Sequence, residues 1–222
     1  RLTQAGVEEN VKAANADYQS WQAQKTTPGT VQMWDVMQHL ESVLPANAIL
    51  TNGAGNYATW VHRFHRYRGF RTQLAPTSGA MGYGVPAAVA AKAVHSDRVV
   101  VAFAGDGCFL MTGQELATAV QYQLNIIFIV VNNNMYGTIR MHQEREFPGH
   151  VYGTALVNPD FAAYARAFGA SGEVVEYTAE FAPAFERAMK AGRPALIEIR
   201  IDPQAISPNT TLQAIREAAE KA

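Results

Sequence analysis

Cysteine is almost missing from this chain: Cys108 is the only one in 222 residues. No disulfide can form within the chain, so packing must hold the fold, and a reducing cytoplasm is the default expectation. Long apolar runs are missing too. No stretch approaches the roughly 18 residues that a membrane-spanning helix requires. Nor is there an excess of charge of one sign. With 18 basic and 19 acidic residues and no block of like charge, neither nucleic acid nor an acidic membrane surface is favoured as a partner. There is no internal repeat and no low-complexity tract. The opening Arg1-Leu2-Thr3-Gln4 has neither the apolar core of a signal peptide nor an initiator Met, so a longer or processed chain is expected.

What is present alternates. Residues 1–24 are polar and helix-prone, with Val7, Val11, Ala14, Tyr18 and Trp21 forming one apolar stripe before Pro28-Gly29 breaks the pattern. A helix is expected over Val31–Leu44, opened by Thr30, and a short strand over Ala48–Thr51. An Ala-rich helix follows over Met81–Val94, then strands over Arg98–Ala104 and Ile126–Val131. Asn158-Pro159-Asp160 reads as a helix start with Asn158 as cap and Pro159 in the first helical position. A strand at Val174–Glu176, a helix over Ala179–Ala191, a strand over Ala195–Ile201 and a charged helix over Thr211–Ala222 complete the pattern. Such alternation predicts an α/β fold, a doubly wound, mostly parallel sheet with helices on both faces.

Two strands end in distinctive punctuation. The run to Ala104 stops at Gly105-Asp106-Gly107, and the run to Val131 stops at Asn132-Asn133-Asn134. Runs that are apolar on both faces suit the centre of a parallel sheet, and ligands of such sheets bind beyond the carboxyl ends of the strands. A carboxylate and a carboxamide delivered there suit Mg²⁺, which takes oxygen ligands at about 2.0–2.1 Å, commonly shared with phosphates. Gly105 and Gly107 would let the backbone turn and approach a ligand closely. Thr112-Gly113-Gln114-Glu115 reads as a capping box opening the next helix, whose N-terminus would favour a diphosphate.

This pairing of Gly105-Asp106-Gly107 with Asn132-Asn133 resembles the cofactor motif of the thiamine diphosphate (ThDP) enzymes. The resemblance extends to Thr77–Ala88, similar to the segment that holds the aminopyrimidine ring in the decarboxylase and acetohydroxyacid synthase branch. It extends also to Asn52–Tyr57, similar to the turn that meets the diphosphate there. The resemblance implies that residues 30–203 form a diphosphate-binding (PP) domain, preceded by a helical interdomain arm and linker at 1–29 and followed by a helical tail at 204–222. The arm has a second reading, an ordinary first helix packed locally.

The resemblance also implies roles. Asp106 and Asn133 would ligate Mg²⁺ by side chains and Met135 by its carbonyl, with Asn132 and Asn134 as competitors for the part of Asn133. Gly105, Gly107 and Cys108 would lie beside the diphosphate, with backbone N–H groups of Gly107 and Cys108 turned towards it. Tyr136 would touch the cofactor. Asn56 and Tyr57 occupy positions of polar diphosphate contacts, although Tyr57 has packing as its alternative. Met81 would wedge between the two cofactor rings and enforce a bent conformation, and Gly79 would offer its carbonyl to the 4′-amino group; these are the expected catalytic contributions. His142, His150, Arg140 and Arg145 are candidates for proton relay or substrate-carboxylate contact, with solvated or ion-paired surface roles as the alternative. The synthases of this branch typically carry a Trp after the Asn-Asn motif where His142 stands, which weakens the synthase assignment in particular.

The implied function is ThDP- and Mg²⁺-dependent ligation or decarboxylation of a 2-keto acid. The Glu that activates the cofactor belongs to a pyrimidine-binding (PYR) domain, and no segment here is similar to one. A partner PYR domain, from the same protein or a neighbouring subunit, and a homodimer or homotetramer are therefore expected, with Tyr57, Trp60, Met81, Tyr83, Phe109, Met111, Met135 and Tyr136 as interface candidates; about half of these have core packing as the alternative, which is the expectation for Phe109 and Met111. The competing class is a catalytically silent ThDP-fold or phosphate-binding module acting as a regulatory subunit. A dinucleotide site is disfavoured, because Gly53-Ala54-Gly55 continues as Asn56-Tyr57-Ala58, without the third glycine.

Overall fold

A computed structural model describes residues 4–221. Six parallel strands form one sheet in the order β2-β1-β3-β4-β6-β5. These are β1 (Ile49–Asn52), β2 (Gln73–Leu74), β3 (Val100–Gly105), β4 (Ile126–Asn132), β5 (Ser171–Val175) and β6 (Ala195–Arg200). The helices are α1 (Gln4–Trp21), α2 (Met33–Val43), α3 (Ala58–Phe64), α4 (Gly84–Val94), α5 (Asp106–Thr112), α6 (Leu116–Gln121), α7 (Gly137–Glu146), α8 (Phe161–Ala167), α9 (Thr178–Lys190) and α10 (Leu212–Ala219).

The continuous apolar runs of β3 and β4 follow from their place in the middle of the sheet, covered on both faces. Val101, Phe103, Ile127, Ile129 and Ile197 belong to one buried cluster with side chains of α2, α3 and α9. Their alternating neighbours Val100, Ala102, Ile126, Phe128 and Val130 belong to a second cluster with α4, α6 and α8. Each large side chain fully buried there contributes roughly 1.5–3 kcal/mol. Because the chain runs from β1 outward to β2 and then crosses back to β3, the order reverses between β1 and β3. Their carboxyl ends open a crevice there.

Several local expectations change. Thr30 does not open α2: its hydroxyl donates to the Glu176 carbonyl at 2.5 Å, and the helix starts at Met33. The helix after the Gly-Asp-Gly turn begins at Asp106 itself, and Thr112 is no cap, since its hydroxyl donates to the Gly82 carbonyl at 2.8 Å. Met81 lies in the turn before α4 and not inside the helix. Asn158 does not cap α8; the Asp160 carboxylate accepts from Ala163 N at 2.7 Å. The short edge strand β2 and the helices α3 and α7 carry patterns too brief or too polar to stand out in the sequence.

The stripe of α1 is exposed at Val7, Val11, Tyr18 and Trp21. The end of the helix is fastened through Arg63, whose guanidinium lies 3.7 Å from the Trp21 ring centroid and donates to the Trp21 carbonyl at 2.8 and 2.7 Å. The same guanidinium donates to Asn209 Oδ1 at 2.7 Å, so α3 ties down both flanking segments. Among the described residues no helix is long and apolar enough to cross a membrane.

Candidate functional site

The crevice at the ends of β1, β3 and β4 is a cleft of about 230 Å³. Asn56, Tyr57, Gly79, Met81, Gly105, Asp106, Gly107, Cys108, Asn133, Met135 and Tyr136 all line it, joined by Thr138, Ile139, Ile201 and Ile206. Residues far apart in sequence meet because three adjacent parallel strands end at the same level.

Asp106 is only 2% exposed and sits at the first position of α5. Its Oδ1 accepts from Gly107 N at 2.9 Å, and its Oδ2 from Met135 N at 3.2 Å and from Asn158 Nδ2 at 2.8 Å. Burial pushes its carboxyl above the ordinary range, and these donors, with a contribution from the Asn134 amide, oppose that shift. Asn133 Oδ1 accepts from the same Met135 N at 3.3 Å. Asn134 adopts the left-handed conformation at φ 56°, which asparagine tolerates, and its N–H donates to Asn132 Oδ1 at 3.0 Å. That turn brings Asp106 and Asn133 onto one amide.

The glycines of the motif are hemmed in by aromatic rings. A Cβ on Gly105 would stand 2.9 Å from the Tyr57 ring, and one on Gly107 would stand 2.5 Å from Tyr136 Cε1. Neither has a positive φ. Close approach of two aromatic rings to the backbone is sufficient to require glycine at both positions. The Gly107 N–H, expected to face the diphosphate, is engaged by Asp106 Oδ1.

Tyr57 and Cys108 form the floor. The phenol donates to Cys108 Sγ at 3.3 Å, and Gly82 N donates to the same sulfur at 3.0 Å. Burial drives the Tyr57 phenol far above its ordinary value, so it stays protonated. Asn56 is held by Thr138, whose hydroxyl donates to Asn56 Oδ1 at 2.8 Å and accepts from Asn56 N at 3.1 Å. Met81 is half-buried, while Gly79 is exposed at the rim with φ 68°.

The four flanking candidates are not among the lining residues. His142, Arg145 and His150 are exposed, and Arg140 is paired with Glu144 at 2.6 Å. The interface candidates divide. Tyr57, Trp60 and Phe109 are buried in the core, whereas Met111 and Tyr83 are exposed, the reverse of what was expected for Met111. Sequence reasoning missed Thr138, Asn158, Glu198 and Ile206. Only Asn158 had a signal, and its Asn-Pro-Asp context pointed to a cap.

An all-parallel doubly wound sheet, with a carboxylate and a carboxamide converging at its switch point, defines a phosphate-cofactor α/β protein. Residues 53–199 match the family described as "Thiamine pyrophosphate enzyme, C-terminal TPP binding domain", and the chain belongs to that family. The acetolactate synthase isozyme 2 large subunit of Escherichia coli is 32% identical over 171 residues, covering 75% of this chain and 31% of that protein. The sulfoacetaldehyde acetyltransferase of Alcaligenes xylosoxydans is 31% identical over 169 residues, covering 74% and 28%. Among solved structures, the thiamine diphosphate-dependent 4-hydroxybenzoylformate decarboxylase of Rhodococcus jostii superposes with a TM-score of 0.75 at 27% identity, covering 81% of this chain and 34% of that one. The chain thus spans about a third of the length of the relatives it matches.

Proposed function

We propose that the cleft binds ThDP through a Mg²⁺ ion held by the Asp106 carboxylate, the Asn133 amide oxygen and the Met135 carbonyl, as part of a 2-keto acid carboligase or decarboxylase. One observation carries this reading. Two hard-oxygen side chains just beyond the ends of adjacent strands converge on a single amide, Met135 N, inside the switch-point cleft. An oxygen-only donor set is what Mg²⁺ takes. Among the described residues no cluster of three or more His, Cys, Asp or Glu offers a softer site. A buried carboxylate whose pKa is raised by burial is also where a cation relieves the most desolvation cost.

Bound there, ThDP would supply the carbon nucleophile for attack on the keto carbon, and the protein would orient and tune it. Asn56, fixed by Thr138, would contact the diphosphate. Met81 would brace the bent cofactor, as an adaptable apolar side chain suits, and Gly79 would meet the aminopyrimidine. Ile139, Ile201 and Ile206 give the rest of the cleft an apolar lining.

The partner is a PYR domain, from the same protein or a neighbouring subunit, supplying the activating Glu, in a homodimer or homotetramer. Support comes from the exposed apolar groups Tyr83, Leu110, Met111 and Ile139 on the segments that border the cleft. Titration calorimetry on the intact protein tests the cofactor reading. ThDP affinity should depend on Mg²⁺ and fall at least tenfold in Asp106→Ala, with a milder loss in Asn133→Ala. Unchanged affinity and metal requirement in Asp106→Ala would remove the assignment.

A further inference from the structure

Resting on the reading of Asp106 and Asn133 as cation ligands, we propose that Asn158 and Glu198 are positioning residues that orient Asp106 and the Asn134 turn for Mg²⁺.

The amide nitrogen of Asn158 lies 2.8 Å from Asp106 Oδ2, 2.8 Å from Asn132 Oδ1 and 3.3 Å from Asn134 Oδ1. It carries two protons, so the two short bonds are made in full. Turning the amide over would set its oxygen against the Asp106 carboxylate, which only accepts when ionised. The orientation of Asn158 is therefore dictated by its neighbours. With Asn132 Oδ1 taking bonds from both Asn158 and Asn134 N, the Asn132 amide group must face the other way. It donates there to Glu198 Oε1 at 2.8 Å.

Glu198 is the anchor of this ladder. It is 1% exposed on β6, between the buried residues Leu196, Ile197 and Ile199. Its Oε1 also accepts from Arg200 Nε at 3.0 Å, while its Oε2 is buried with no hydrogen-bond partner. Asn158 Oδ1 is buried and unpartnered as well. A buried, incompletely satisfied carboxylate is a poor device for stability, because apolar replacements of similar size do as well or better. Such a group is well suited to forcing the Asn132 amide into one of its two orientations. From Glu198 the constraint passes through Asn132 to Asn158 and Asn134, and from these to the Asp106 carboxylate and to Met135. Partners that orient metal ligands typically set affinity by 10–100-fold.

Geometry is what Mg²⁺ demands most, since it requires near-ideal octahedral placement where Ca²⁺ accepts irregular sites. The test is calorimetric titration of Mg²⁺ and of Ca²⁺ into the intact protein as purified, with ThDP saturating, for wild type, Asn158→Ala, Glu198→Leu, Glu198→Gln and Asp106→Ala. Thermal midpoints are measured alongside. Asn158→Ala and Glu198→Leu are expected to lose about tenfold in Mg²⁺ affinity and to lower the Mg²⁺/Ca²⁺ affinity ratio. Glu198→Gln keeps an oxygen that accepts from Asn132 and should stay within about twofold of wild type. If Asp106→Ala loses the metal while Asn158→Ala and Glu198→Leu keep both affinity and ratio, the positioning role is overturned and the metal site stands. A lowered thermal midpoint with an unchanged ratio has the same meaning. If Asp106→Ala binds Mg²⁺ as wild type does, the metal site falls and the positioning role falls with it.

Discussion

Arg216 on α10 grips Glu144 on α7 with two hydrogen bonds, Nε to Oε2 at 2.7 Å and Nη2 to Oε1 at 2.6 Å. The bond spans 72 residues of chain and joins the C-terminal helix to the helix that opens beside the cleft at Gly137-Thr138-Ile139. Glu144 is 1% exposed, and it also accepts from Gly149 N at 3.0 Å and pairs with Arg140 at 2.6 Å. Ile206, in the segment leading to α10, lines the cleft. The ion pair therefore sets where one wall of the site stands.

This pairing has a pH signature. The Arg216 guanidinium, ahead of the Gly149 and Arg140 donors, holds the Glu144 carboxyl down to about 2, against the burial that would raise it. A folded-state value below the unfolded one contributes stability that is fully present above the ordinary carboxylate range near 4.5 and lost as pH falls through about 2. Thermal midpoints should fall across that window in wild type and much less in Glu144→Gln. Glu144→Ala should cost about 3 kcal/mol at neutral pH, because the two arginines lose their shared acceptor. Equal pH slopes in wild type and Glu144→Gln would show that the carboxylate does not control this junction.

The glycine at position 107 is expected to be intolerant for a steric reason. In Gly107→Ala the new methyl group would stand 2.5 Å from Tyr136 Cε1 and 3.3 Å from Leu156 Cδ1. Overpacking of this kind costs about 1–3 kcal/mol. ThDP affinity should drop with it, as the Tyr136 ring is pushed from its place in the cleft. Adding Tyr136→Ala should relieve the strain, giving a coupling between the two changes of about 1 kcal/mol or more in denaturant titrations. Strict additivity would mean that Tyr136 is not what the methyl meets.

Cys108 should behave as a structural thiol. It is 3% exposed and accepts from Tyr57 Oη and Gly82 N, with no cationic side chain among these partners. A water-soluble thiol reagent should label the native protein slowly and the unfolded chain stoichiometrically. Tyr57→Phe removes one weak donor and should cost about 0.5–1 kcal/mol without exposing the sulfur. Fast labelling of the native protein would show that the cleft floor opens.

The central strands and the motifs at their ends were legible because each is a local signal: an apolar run covered on both faces, then an abrupt polar stop. Asp106 and Asn133 stand where those stops lie. The flanking readings failed where two local partners competed. Asn158 and Asp160 are both good helix caps, and sequence cannot say which one folds onto Ala163. Asp160 takes the cap, and Asn158 is left to reach Asp106, 52 residues away in the chain. Thr112 likewise has the spacing of a capping box, yet its hydroxyl is taken by Gly82, 30 residues distant.

The sequence by itself determined the α/β alternation, the two buried strands, and the carboxylate and carboxamide at their ends, because burial on both faces and chain reversal are written into neighbouring residues. Only the tertiary structure decided that Gly105 and Gly107 yield to the rings of Tyr57 and Tyr136, that Glu198 and Asn158 stand behind Asp106, and that Arg216 holds the far wall. Each of those depends on which side chains meet across strands and helices. That is fixed by strand order and register, not by spacing along the chain.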